Sequence, residues 1–206
     1  MSASIIQINE LPIISEQFEN AKIAWFGIIS KSSSSVALFA SNDKETLLEI
    51  RAHDGWSNLE ESVDATKHLW DVLAPYAAGD FRREILTLVE EPKPTNIPLP
   101  ESAHLELRYV EVLPRKYQAY LKWREKTIFD VVRESPQITT FSAYHTVFST
   151  RPGVLFLSGF DCEIDEYTKV FTSDRYRKIV QAAGDNYITG GNQGLATRIY
   201  TRVKED

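Results

Sequence analysis

A single cysteine, Cys162, leaves this chain no partner for an internal disulfide, and no apolar run approaches the ~18 residues that a membrane helix requires. The longest such run, Ile23 to Ile29, is seven residues and contains Gly27. The opening Met1-Ser-Ala-Ser-Ile-Ile carries neither a basic segment nor a sustained apolar one, so no secretory leader is expected. Together these absences point to the cytoplasm and speak against a membrane partner. Also missing are a Walker loop, a Gly-x-Ser-x-Gly elbow and clustered metal ligands. Gly190-Gly-Asn-Gln-Gly194 is no dinucleotide fingerprint, because no strand leads directly into it and no helix follows. Basic residues are outnumbered 23 to 29, a net charge of −6, which argues against nucleic acid as a partner.

What is present is the composition of an ordinary globular protein, 206 residues with 43% apolar and 25% charged side chains. Four of the nine prolines fall within residues 91–102, Glu91-Pro-Lys-Pro-Thr-Asn-Ile-Pro-Leu-Pro-Glu-Ser102. Each fixes φ and removes a backbone donor, so this stretch predicts an extended linker between units at 1–90 and 103–206. Charge divides along the same line. The first unit holds seven basic against fourteen acidic residues, the second fifteen against thirteen.

Periodicity predicts the same element order twice. In the first unit, Ser4–Ile8 is a short strand, and Ile14, Phe18, Ala21, Trp25 and Ile28 form the stripe of an amphipathic helix. Ser32–Ser35 reads as a loop, Val36–Ala40 and Glu45–His53 as a hairpin. Ser57-Asn-Leu-Glu60 is a capping box, opening a helix with Leu59, Val63, Thr66, Trp70, Leu73 and Ala77 on one face. Asp80–Glu90 closes the unit as a strand. In the second, His104–Leu113 is a strand and a single helix runs from Pro114 to Glu134, with Tyr117, Leu121, Ile128, Val131 and Val132 facing inward. Strands at Thr139–Phe148 and Val154–Phe160 follow, then helices near Ile164–Phe171 and Ser173–Ala183, and a last strand at Leu195–Val203. The expected class is α+β, two tandem ferredoxin-like β-α-β-β-α-β units.

The run Leu47-Leu-Glu-Ile-Arg-Ala-His53, Trp56-Ser57, Thr66-Lys-His68-Leu-Trp70 and the strand Phe81–Glu90 resembles the antibiotic-biosynthesis-monooxygenase type of dimeric α/β barrel. Members commonly carry His-x-x-Ser-Pro-His on the second helix. Here Val63 stands at the first histidine, Thr66 and Lys67 replace Ser-Pro, and His68 matches the last histidine. In the second unit the corresponding places hold Val170, Ser173, Asp174 and Arg175, of which only Ser173 matches. Glu106-Leu-Arg-Tyr-Val110 and Tyr120-Leu-Lys-Trp-Arg-Glu125 are similar to NIPSNAP-type members of the same superfamily. The resemblance implies a tandem duplication whose two sheets pair into a barrel, either within the chain as a pseudo-dimer or with a second copy as a homodimer.

It also implies an activity: cofactor-independent monooxygenation of a small aromatic, polyketide-like substrate, with neither flavin nor metal. Two alternatives stand beside it, a non-catalytic small-molecule-binding or assembly protein of the same fold, and a haem protein using His68 or His145. His145 lies in the apolar strand Phe141–Phe148 and reads either as a hydrogen-bonded core histidine or as a base facing a pocket. His68 reads as that base through its family match, or as a partly solvated polar residue off the apolar stripe. Arg108 and Tyr144 are the candidate donors to a developing anion. Strand alternation separates Arg108 from Tyr109, and Tyr144 from His145, so these cannot all share one pocket. Tyr109, Trp56 before its helix cap, Trp123 off its stripe, and Arg124 are the candidate substrate contacts. Arg124 either reaches into the pocket or extends to water.

Overall fold

The computed structural model describes the backbone of residues 1–32 and 35–204, and the side chains of these apart from 58–65 and 192. The Asn58–Glu60 part of the expected capping box and the Leu59 and Val63 positions of the helix stripe lie outside the described side chains. Ser33 and Ser34 of the expected loop lie outside the described residues.

Eight strands and six α-helices follow one another as β1 (Ile5–Pro12), α1 (Phe18–Ile29), β2 (Val36–Ser41), β3 (Thr46–His53), α2 (Leu59–Leu73), β4 (Arg82–Lys93), then β5 (His104–Val110), α3 (Tyr117–Glu125), α4 (Ile128–Glu134), β6 (Thr140–Phe148), β7 (Val154–Phe160), α5 (Ile164–Thr172), α6 (Asp174–Asn186) and β8 (Leu195–Arg202). All neighbouring strands are antiparallel and close into one barrel, in the order β1-β3-β2-β8-β5-β7-β6-β4. The chain therefore supplies every strand of its own barrel. The β2–β8 seam is short, three register pairs from Phe39↔Arg202 to Ser41↔Tyr200. The β4–β6 seam runs from Ile85↔Phe148 to Lys93↔Phe141 with register shifts.

Alternation along each strand sends one set of side chains into the barrel and the other outward under helices. Ile6 and Ile8, Leu48 and Ile50, Leu105, Leu107 and Tyr109, Leu155 and Leu157 fill the interior, which is a packed core. Two further cores lie outside it. Leu11, Phe18, Ala21, Trp25, Leu69 and Leu73 join α1 and α2 to the first four strands. Tyr120, Phe129, Val132, Phe141, Phe156, Tyr167 and Tyr176 join α3 to α6 to the last four.

Several boundaries differ from the sequence expectation for identifiable reasons. The expected helix from Pro114 to Glu134 is two helices, broken where Thr127 leaves helical geometry and its hydroxyl donates to the Trp123 carbonyl at 2.7 Å. The break rephases the buried stripe. Tyr120 and Arg124 are buried, whereas Tyr117 and Leu121 are half-buried. On α2 the buried pair is Leu69 and Leu73, and Trp70 stays 41% exposed, packed by one edge on Phe81. On α1 it is Ile29, one place beyond Ile28, that is buried. Strand β4 runs through Pro92 to Lys93, its N–H-deficient residue lying where the pairing with β6 is already irregular. Ser173 caps α6 as expected, accepting from the Tyr176 N–H.

Candidate functional site

The outward face of β5 places Glu106 and Arg108 in succession beneath α5 and α6. Arg108 is held on three sides. Its Nη2 lies 2.7 Å from Glu106 Oε1, its Nη1 donates to the Tyr176 hydroxyl at 2.6 Å, and its guanidinium lies over the Phe171 ring, 4.1 Å from the centroid. The third nitrogen, Nε, is buried and has no partner among the described residues. Arg108 lines a cavity of about 160 Å³ together with Tyr120, Phe156, Phe171, Tyr176 and Ile179, among others.

Tyr120 lines this cavity from α3; its buried hydroxyl makes no hydrogen bond of good geometry and has the Arg124 guanidinium as its nearest polar neighbour, which leaves its own O–H without an acceptor. Arg124 lies over the Tyr120 ring but directs Nε and Nη2 to Glu90 Oε2, at 2.9 and 2.6 Å. Buried hydroxyls without a hydrogen bond of good geometry continue nearby at Ser158 and Tyr167 under the same helices, where the two neighbour each other and Tyr167 neighbours Glu106, and at Thr140 on the adjacent strand. Unsatisfied buried polar atoms are rare in folded proteins, and here most of them gather under one helical layer.

Electrostatics set the protonation states. Burial pushes the Glu106 carboxyl up, against the pull of Arg108. Burial alone would lower Arg108, but Tyr176 and Glu106 outweigh it and keep the guanidinium cationic. Burial also raises the Tyr120 and Tyr176 phenols, so both stay protonated near neutral pH. The lining is thus one cation and two phenols amid apolar and aromatic walls. Among the described lining residues there is no histidine or carboxylate to act as a base.

Of the eight residues singled out from sequence, Arg108 alone borders this cavity. Tyr109 and Tyr144 face the packed barrel interior, where the Tyr109 hydroxyl donates to Glu84 at 2.5 Å and that of Tyr144 to the Ala3 carbonyl at 3.2 Å. His145 is half-buried in an open groove of about 580 Å³ beside Tyr117 and Arg151. Its Nδ1 lies 3.1 Å from the Thr146 carbonyl, and its Nε2 packs so closely on Gly153 that a Cβ there would sit 3.2 Å away. His68 is exposed on α2, and Trp56 is 50% exposed. Trp123 is half-buried against Tyr120 and Tyr187. Arg124 is fully buried, a tie between α3 and β4. Cys162 is half-buried, and burial raises its thiol above the ordinary value, which leaves it a poor nucleophile.

Glu106, Tyr120, Phe171 and Tyr176 escaped the sequence reading. Glu106 and Arg108 are an i, i+2 charged pair inside an otherwise apolar strand, a visible signal. Tyr120 was hidden by the helix break that rephases α3.

A second polar group lies under α1, where β1 and β3 direct Gln7, Asn9, Glu49, Arg51 and His53 outward. Glu49 is fully buried and accepts from Trp25 Nε1 and Asn9 Nδ2, each at 3.0 Å, and from Arg51 Nε at 3.4 Å. Gln7 Nε2 donates to Asn9 at 3.2 Å, and Gln7 Oε1 accepts from His53 Nε2 at 3.2 Å, which fixes the proton on that nitrogen. Burial, then Arg51, lowers His53, so its ring is neutral. The group extends through Arg51 Nη1 to the Ser32 hydroxyl at 3.3 Å and forms a structural counterpart to the Arg108 site.

No family model matches the chain, and no curated protein matches it. Solved structures do match. A Fusobacterium nucleatum protein named "Putative monooxygenase" aligns with TM-score 0.74 at 11% identity, over 99% of this chain and 94% of that one. An anthrone oxidase-like protein aligns with TM-score 0.73 at 11% identity, over 97% and 91%. The haem-degrading enzyme LmHde of Listeria monocytogenes aligns with TM-score 0.56 at 10% identity, over 96% and 98%. The chain therefore has the fold of ferredoxin-fold, monooxygenase-like proteins. No described helix is long and apolar enough to cross a membrane.

Proposed function

We propose that this protein binds a single-ring aromatic anion, a phenolate or an aromatic carboxylate, in the cavity between β5 and helices α3, α5 and α6. One observation carries the reading: Arg108 and Tyr120, whose Nε and hydroxyl make no hydrogen bond of good geometry, line the same largely apolar cavity. A ligand oxygen reaching both would satisfy the two donors at once. The volume of about 160 Å³ matches one ring, since a cavity of roughly 150 Å³ accommodates benzene.

A monooxygenase reading stands second, favoured by the names of the similar structures. In it the bound phenolate supplies electrons to dioxygen, converting an activated CH2 to C=O with release of water, and Arg108 steadies the anion. The lining offers no base, so the substrate would have to arrive deprotonated, and this places binding ahead of turnover. The Arg108 cavity holds one ring and no histidine, His145 Nδ1 lies against the Thr146 carbonyl, and His68 is exposed on α2, so the haem reading is not the one favoured. That the run of six elements in 1–90 and the run of eight in 103–206, each with four strands, arose as a tandem duplication is part of the same proposal.

Calorimetric titration with 4-hydroxybenzoate tests it. The wild type should bind this anion at least tenfold more tightly than neutral 4-hydroxybenzyl alcohol, and Arg108→Gln should remove that preference, since a hydrogen bond to a charged group contributes about 1.5–3 kcal/mol. Equal affinity for the two ligands, or an unchanged preference in Arg108→Gln, would overturn the reading. Oxygen consumption with the same ligand separates the second reading from the first.

A further inference from the structure

One mouth of the barrel gathers three guanidiniums around one carboxylate. Glu10, fully buried near the end of β1, accepts from Arg82 on β4 at 3.3 Å, from Arg151 in the β6–β7 turn at 2.5 Å, and from Arg198 on β8. A second buried carboxylate, Glu84, accepts from Tyr109 at 2.5 Å and Ser149 at 2.9 Å, and lies 3.5 Å from Arg151. Arg151 thus bridges both acids.

Three guanidiniums attend two buried carboxylates at the mouth, Arg83 adjoins on β4, and Asp43 in the β2–β3 turn acts on Arg198, so the guanidiniums exceed these acids by one. In a chain of net charge −6 this is a local inversion. Compensating two buried acids needs two cations. Arg82 and Arg198 nevertheless both attend Glu10, with side chains 52% and 44% exposed. Each carries five N–H donors, of which a single nitrogen engages Glu10. Their outer edges face a groove of about 800 Å³ that Arg82, Arg83, Arg151 and Arg198 line together with Phe81 and Phe148. Phe148 is 65% exposed, the largest apolar side chain left in water on this rim.

We propose that this mouth is an anion site separate from the Arg108 cavity, and that it takes a phosphate monoester carried on an apolar or aromatic body. An excess of guanidiniums over carboxylates at the mouth matches an anion. Planar guanidinium forks match the oxygens of phosphate, and Phe148 offers a face to the attached group.

Phenyl phosphate and benzoate are the probes, a dianion and a monoanion on the same ring, titrated calorimetrically at low ionic strength, with Arg108→Gln titrated alongside so that binding of either probe in the Arg108 cavity is subtracted. The wild type should bind phenyl phosphate at least tenfold more tightly than benzoate. The Arg82→Gln/Arg198→Gln double variant should lose at least tenfold in phenyl phosphate affinity while its binding of 4-hydroxybenzoate is unaltered. Because the double variant loses two partners of a buried acid, Arg82→Gln alone, at the more exposed position, serves as the second test and should weaken phenyl phosphate severalfold with the far-ultraviolet dichroism unchanged. No binding by the wild type, equal affinity for the two probes, or undiminished binding by folded variants would overturn the proposal.

Discussion

Tyr120→Phe is expected to make the free protein more stable and its ligand binding weaker, a pairing of signs that a simple packing role would not produce. The ring is fully buried between Trp123, Tyr187 and the guanidinium of Arg124, so deleting one oxygen leaves the contacts of the ring intact. The hydroxyl makes no hydrogen bond of good geometry, and a buried polar group left unsatisfied costs about 1–3 kcal/mol. Its removal should therefore stabilise the unliganded protein by about 1 kcal/mol. For a chain of this length that raises Tm by about 2–4 °C. With 4-hydroxybenzoate bound, the same hydroxyl donates to the ligand, and its loss should weaken binding about tenfold, equivalent to ~1.4 kcal/mol. Thermal unfolding followed by circular dichroism, with and without ligand, reads both effects. A fall in Tm of the free variant would show that the hydroxyl is satisfied in the resting protein, and would refute the reasoning from orphaned donors.

Three further outcomes follow from the same structure. Glu49→Ala should destabilise by about 3–5 kcal/mol in urea unfolding, because it strands Arg51 and the Trp25 N–H in a dry layer; a loss under 1 kcal/mol would contradict the network. His53 has its folded-state value held below the ordinary 6.5, so below that pH the unfolded chain takes up a proton that the native ring refuses. Stability should accordingly be complete above about pH 6.5 and decline on acidification beneath it, and His53→Gln should flatten that part of the pH–Tm curve relative to wild type. Gly159→Ala would set a Cβ 2.5 Å from both Ser102 Oγ and Thr140 Oγ1, and overpacking of this kind costs about 1–3 kcal/mol; an unchanged Tm would mean that the β7 edge is looser than drawn.

Much of the fold is legible in period-two alternation and turn chemistry. Val154–Phe160 is a strand over its whole expected length, since Pro152-Gly153 and the apolar run bound it on both sides. Where a rule of period meets a tertiary demand, the reading slips. Residues Pro114 to Glu134 carry one continuous apolar rhythm, but the break at Lys126–Thr127 lets Arg124 turn under the layer to meet Glu90 and brings Tyr120 over the cavity. Trp70 sits on the expected stripe yet stays half in water, because Leu69 and Leu73 already fill the space beneath α2. Arg108 was visible as a charge on an apolar strand. His145 drew notice as a histidine in an apolar strand and His68 by its match to the last histidine of the family pattern, and neither lines Arg108's cavity. Nothing local marks Phe171 and Tyr176 as its walls, since they meet Arg108 only after α5 and α6 fold over β5.

The most direct test of the central claim is a crystal structure of the wild-type protein soaked with 4-hydroxybenzoate. The account predicts one ring between Arg108, Tyr120 and Phe171, with a ligand oxygen within hydrogen-bonding distance of Arg108 Nε. An empty cavity in a crystal whose ligand binds elsewhere would contradict it.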